Sequence, residues 1–272
     1  MSTTQTQTSA PVERPVGLPV PEALDGRPGV PLGRLVNVEL RKMLDTRAGL
    51  WLLVVMSAIA AVVVTVFLIW GPAEEATFGT LLSLASFPLL VLLPILGIMT
   101  ATSEWSQRTG LVTFTLEPRR GRVITAKVVA ALLLGLVVTA SGFAAAALAN
   151  VIGGASTDAS GAWDVSWQVA LGFVLAFAIF VLQGLAFGFL FLNTPFAIVA
   201  TLVLPTVWSV LTSLVSSIET ASRWLNLDRV TEPLLTGTMT GENWGQLGTS
   251  FAAWVLLPLA LGSWRVLHRE VK

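Results

Sequence analysis

The sequence predicts an all-α integral membrane protein with six transmembrane helices, an N-terminal amphipathic interfacial helix and both termini cytoplasmic. Three observations predict it. Apolar residues fill 54% of the 272 positions and charged residues only 12%, against about 25% charged in an average soluble domain. The apolar excess is gathered into blocks close to the roughly 20 residues that a bilayer-crossing helix needs. Lys and Arg crowd one side of those blocks.

The six blocks lie near residues 50–70, 78–101, 123–150, 167–192, 195–217 and 247–267. The apolar stretch over 167–217 is too long for one crossing. Asn193-Thr194-Pro195 divides it, offering a capping side chain and then Pro for a first helical turn. Six crossings put both termini and the second and fourth connections on one side. That side collects Arg34, Arg41, Lys42, Arg47, Arg108, Arg119, Arg120, Arg122, Lys127, Arg265, Arg269 and Lys272, and the other only Arg223 and Arg229. The bias places the basic side in the cytoplasm. Trp51, Trp70, Trp163, Trp167 and Trp264 stand where interfacial anchors belong.

Residues 1–31 are polar, without an apolar core, and are expected to be a disordered cytoplasmic tail. Residues 32–48 differ. Leu32, Leu35, Val36, Leu40 and Met43 share one helical arc, and Arg34, Asn37, Arg41 and Asp45 the opposite one. This pattern predicts an amphipathic helix in the membrane interface. Glu39 falls inside the apolar arc, so it needs a basic partner; the loop arginines 119, 120 and 122 are the expected one. The transmembrane domain then covers 49–272.

Several functions are excluded or disfavoured. Away from their ends the crossings hold no ionisable side chain, and Gln183 is their most polar internal residue. Ion-coupled carriers need such groups as relays. The chain has no Cys, and its one His, His268, cannot build a His cluster. No metal site, resident cofactor or hydrolytic set is expected. No Gly immediately precedes Lys42, Lys127 or Lys272, so there is no P-loop; energy for transport would come from another subunit. Net charge is zero and points to no nucleic-acid partner. The small residues Gly184 and Gly188, and Ala140, Ala144 and Ala147, form helix faces expected to pack within the chain.

The most informative stretch joins the second and third crossings, SEWSQRTGLVTFTLEPRRGRVITAK over 103–127, with the coupling loop itself placed at 102–122. Glu104 and Arg108 at i,i+4 predict a short helix over 103–108. Gly110 and Pro118 punctuate the chain beyond that helix. The order Glu104, Gly110, Thr115-Leu116, Pro118, Arg122 and Lys127, entering a third crossing, resembles the permease subunits of ABC-2 type exporters. So does VELRKMLDTRAG before the first crossing. The resemblance implies a membrane-spanning subunit without its own ATPase site, in the cell membrane. It would pair with a second permease, a homodimer being expected, and with two cytoplasmic ATP-binding subunits holding ATP and Mg. It implies ATPase coupling through Glu104, Trp105, Gln107, Arg108, Thr109, Pro118, Arg119, Arg120 and Arg122, with Glu39, Arg41, Lys42 and Arg47 on the connecting helix. Glu104 and Arg108 would make the polar contacts and Trp105 the packing anchor. Residues 219–246 would be short re-entrant helices in that family; an ordinary external loop is the other reading. A membrane scaffold without transport activity is the alternative function, and the uncharged crossings disfavour an ion-coupled carrier. Apolar crossings fit an amphipathic or hydrophobic cargo.

Overall fold

The computed structural model describes residues 30–156, 159–215 and 219–269. The predicted tail falls almost wholly outside them. The chain divides into two units, Met1–Val30 and Pro31–Lys272, and the second carries all the described helices. These are α1 (Leu32–Leu44), α2 (Arg47–Trp70), α3 (Phe78–Ser106), α4 (Gly110–Leu116), α5 (Arg120–Ser156), α6 (Trp167–Phe191), α7 (Thr194–Leu214), α8 (Glu219–Leu225), α9 (Leu227–Thr236), α10 (Gly241–Phe251) and α11 (Leu257–His268). Six spans are long and apolar enough to cross a membrane: α2, α3, α5, α6, α7 and the run Gly241–His268. The chain is thus a multi-pass helical membrane protein. With an even number of spans, α1 and the end of α11 lie at one end of the bundle, here called the basic end.

Local chemistry starts the helices. Thr46, Thr77, Ser166 and Asn193 each accept from the backbone N–H three residues on, and Thr240 with Asn243 makes a capping box. Between α6 and α7, Leu192 takes a left-handed φ of 53°, and Pro195 follows in the first turn of α7. The last span is continuous because α10 passes into a π turn, Ala252–Leu256, and then α11. Pro258 lacks the N–H that an α-helical ladder needs. The wider turn ahead of it absorbs the break, with the Leu257 N–H reaching back to the Ala252 carbonyl.

The core is the seam between α3 and α6. An added Cβ on Gly184 would strike the Pro94 carbonyl, one on Gly97 the Val181 carbonyl, and one on Gly188 the Ala101 side chain. These glycines let two backbones touch, as small residues do between membrane helices. The Gly184/Gly188 face therefore packs within the chain as expected. Ala140 and Ala144 do not: both are exposed, because α5 turns Ala131, Leu134, Val138 and Ala146 inward instead.

Residues 219–246 are not an ordinary loop. The turn between α8 and α9 lies deep: Trp254 Nε1 donates to the Leu225 carbonyl at 2.6 Å, and Asn226 Nδ2 to Ser209 Oγ at 3.3 Å. Leu227, Val230 and Leu234 are buried with Ile179 and Val255, while Gly172 lies against the Leu234 backbone. Ile179 is about half-way along α6 and Gly172 within two turns of its start. The hairpin α8–α9 therefore descends from the far end to mid-span and returns.

Gly184→Ala is expected to destabilise the protein by about 1–3 kcal/mol, the cost of overpacking. Gly248→Ala, whose added Cβ meets nothing, should be neutral or slightly stabilising. Thermal unfolding of the two variants in one detergent checks this.

Candidate functional site

At the basic end four charges close a ring across three helices. Lys42 Nζ lies 2.7 Å from Glu39 and 3.0 Å from Glu104; Lys127 Nζ lies 2.7 Å from Glu39 and 2.8 Å from Glu104. Glu39 and Lys42 belong to α1, Glu104 to α3 and Lys127 to α5. Glu39, Glu104 and Lys127 are 4%, 2% and 2% exposed. Lys127 also donates to the Thr100 carbonyl at 2.8 Å and to Ser103 Oγ at 3.1 Å. Every charge thus has two opposite neighbours, which is what makes burial tolerable. Burial acts to lower the pKa of Lys42, but the carboxylates of Glu104 and Glu39 outweigh it and hold the value above 10.5.

Two expectations are corrected here. Glu39 does not meet Arg119, Arg120 or Arg122. Its partners are Lys42 and Lys127, because α1 meets α5 at Lys127, about two turns in from Arg120 at that helix's start. Glu104 does not face outward as a docking contact, since the ring buries it. The arginines serve other bonds. Arg120 Nη1 caps α11, donating to the Val266 carbonyl at 2.8 Å and the Arg269 carbonyl at 2.6 Å, and its guanidinium lies 4.8 Å over the Phe114 ring. Arg122 lies 3.9 Å from the buried Glu117. Arg119, Arg41 and Arg47 are exposed. Trp105 is half-buried, beside Phe114 at 6.5 Å and under the Arg269 guanidinium at 5.0 Å.

The predicted helix over 103–108 is also corrected. α3 simply continues to Ser106. It then ends in a Schellman turn: Gln107 caps it, Arg108 takes a φ of 57°, and the Thr109 N–H returns to the Glu104 carbonyl at 3.0 Å. That turn releases α4, the separate short helix of this connection. Leu111, Val112 and Leu116 on α4 are 56%, 58% and 74% exposed, whereas Phe114 packs inward against the core. Gln107, Arg108, Thr109 and Pro118 are exposed beside them. An apolar ridge flanked by polar and basic groups thus projects from the basic end. Its apolar residues stood in the sequence; their exposure did not.

Among the described residues no group of His, Cys, Asp or Glu could hold a metal ion. No protein-family model matches the chain, and no curated protein matches it significantly.

Glu104→Gln or Lys127→Met alone is expected to cost about 3 kcal/mol or more, because each leaves buried charge uncompensated. The double change should cost less than the sum of the two, which a double-mutant cycle on thermal stability reads directly. The pH dependence is also fixed. Because the folded pKa of Lys42 is raised, its contribution is fully present below the unfolded lysine value, about 10.4, and is lost as pH rises through the higher folded value. The chain has neither Tyr nor Cys to titrate nearby. Stability should therefore fall above about pH 10.5, and Lys42→Met should flatten that fall.

Proposed function

We propose that this chain is the permease subunit of an ABC-2 type exporter, moving an amphipathic or hydrophobic cargo outward through the cell membrane. In this reading the basic end faces the cytoplasm, following the Lys and Arg bias. Two copies pair, and two ATP-binding subunits that hold ATP and Mg dock below them. The chain itself hydrolyses nothing.

The observation that carries the reading is the exposed ridge of α4 standing on the charged ring. Leu111, Val112 and Leu116 are exposed at the tip, and Trp105 with Phe114 joins α4 to the end of α3. One turn further in, the ring fastens α3 to α5 and to α1. A partner that seats α4 in a groove and moves on binding ATP would displace the three helices together. Such a displacement needs only that the partner hold α4 differently in its two states. Gln107, Arg108, Thr109 and Arg119 supply the polar rim of that contact. The connecting helix α1, with Arg41 outward, lies at the same end, and Arg47, expected on that helix, instead opens α2 beside it. At the far end, the hairpin α8–α9 is where a pathway would open.

The test is purification of the tagged full chain from membranes in mild detergent, with mass spectrometry of the co-purifying chains and assay of their ATPase activity. A P-loop ATPase should co-purify, and Leu111→Asp with Leu116→Asp should cut its recovery at least tenfold. The permease's own thermal stability should not change, because both side chains are exposed. Recovery unaffected by the change would move docking away from α4. Absence of any ATPase, even after crosslinking, would replace the exporter with the scaffold reading.

A further inference from the structure

We propose that the cavity between α3, α6, α7 and α9 binds a lipophilic organic cation, with the Asp228 carboxylate as its counter-charge. The cavity measures about 470 Å³, and its lining includes Pro94, Phe180, Gln183, Thr201, Thr206 and Asp228. A volume of that size suits a small organic molecule.

Its depth is the first argument. Gln183 lies two-thirds of the way along α6, roughly 24 Å from Trp167 at 1.5 Å per residue. The hydrocarbon core is about 30 Å thick, so the cavity reaches deep along the spans, and Asp228, whose side chain is exposed rather than packed over, lines it. The six spans themselves supply none away from their ends; the hairpin brings it in. An intramembrane acid calls for a partner, yet among the described residues Asp228 makes no ion pair. The second argument is Thr201. It is 4% exposed, and its Oγ1 has no hydrogen-bond partner among the described residues. A helical Thr normally bonds back to the preceding turn, as Thr206 does to the Leu202 carbonyl at 2.8 Å. A buried hydroxyl left open on a cavity wall is a group awaiting a ligand. Gln183, 2% exposed, adds an amide to the same wall.

An acid in the first turn of α9 also complements that helix's dipole, but this accounts for neither Thr201 nor the cavity. With one carboxylate, and with the Thr206 and Thr231 hydroxyls turned to backbone carbonyls, the lining does not provide the charged oxygen set of a hard metal ion. It does suit a single diffuse positive charge on an apolar body. Phe87 and Leu202 on the rim are exposed, so the mouth opens sideways, toward bilayer or neighbour. As cargo recognition this rests on the exporter reading; the binding itself does not.

The test uses the purified full chain in lipid nanodiscs without any ATPase, with empty nanodiscs subtracted. The probes are tetraphenylphosphonium and tetraphenylborate, alike in shape and opposite in charge. Tetraphenylphosphonium should bind saturably and tetraphenylborate should not. Asp228→Asn should weaken cation binding at least tenfold, and Thr206→Trp, at an exposed position on the cavity wall, should block it. If Asp228→Asn fails to fold, Thr206→Trp carries the decision. No saturable binding of the cation, equal binding in both variants, or competition by tetraphenylborate would overturn the proposal, including the case in which Asp228 is simply protonated. Because no ATPase is present, failure here leaves the exporter reading standing, and loss of that reading leaves the binding result standing.

Discussion

A closed ring of two lysines and two carboxylates organises the basic end. Glu39, Glu104 and Lys127 are buried, so losing any one of them leaves the ring with uncompensated charge; Lys42, partly exposed, closes it. The consequence is geometric as well as energetic. α1, which precedes the first span, and α3 and α5, which flank the connection, share one set of bonds and are fixed relative to each other. Arg120 extends the arrangement by holding the last turn of α11, and Arg265 adds a bond to the Leu190 carbonyl at the end of α6. Polar bonds thus knit this end together. The far end has polar contacts of its own, such as Asp164 Oδ1 accepting from the Gly79 N–H at 2.7 Å and Asn150 Nδ2 donating to the Gly161 carbonyl at 3.1 Å.

Much of the fold was legible because the bilayer imposes a length and an apolar content on each span, and those survive without any knowledge of neighbours. The division at Asn193-Thr194-Pro195 was legible for a local reason, a cap followed by Pro. Glu39 was marked as needing a cation, but which cation depended on how α1 lies against α5. Periodicity on one helix cannot report that. The helix in the connection between α3 and α5 was misplaced for a similar reason: Glu104 and Arg108 have helical spacing, yet α3 ends at Ser106 and Arg108 is left-handed, so the separate helix begins only at Gly110. The Ala140 and Ala144 stripe shows the converse error, since small residues permit close packing without requiring it.

The hairpin α8–α9 changes how the composition of the spans should be read. The six crossings are uncharged away from their ends, and that counted against any charged chemistry within the membrane. The count missed a segment too short to register as a crossing. Asn226 and Leu225, at its turn, are held by Ser209 and by Trp254 within the π turn. The irregularity that Pro258 introduces into the last span thus sits where the hairpin is fastened. Non-spanning backbone is tolerated at such depth only where protein surrounds it or a cavity adjoins it, and both conditions are met here.

The ring also bears on how the chain is made. Synthesis delivers Glu39 and Lys42 together, one helical turn apart, so forming α1 is enough to pair the first two charges. Glu104 comes later as the final turn of a span, and Lys127 follows it at the start of the next. A translocating machine that releases helices singly would have to leave Glu104 without its deepest partner. One that holds the second and third spans as a hairpin would release them with the charges matched. The order of residues along the chain therefore favours pairwise insertion of these two helices, with α1 as the other half of the lock.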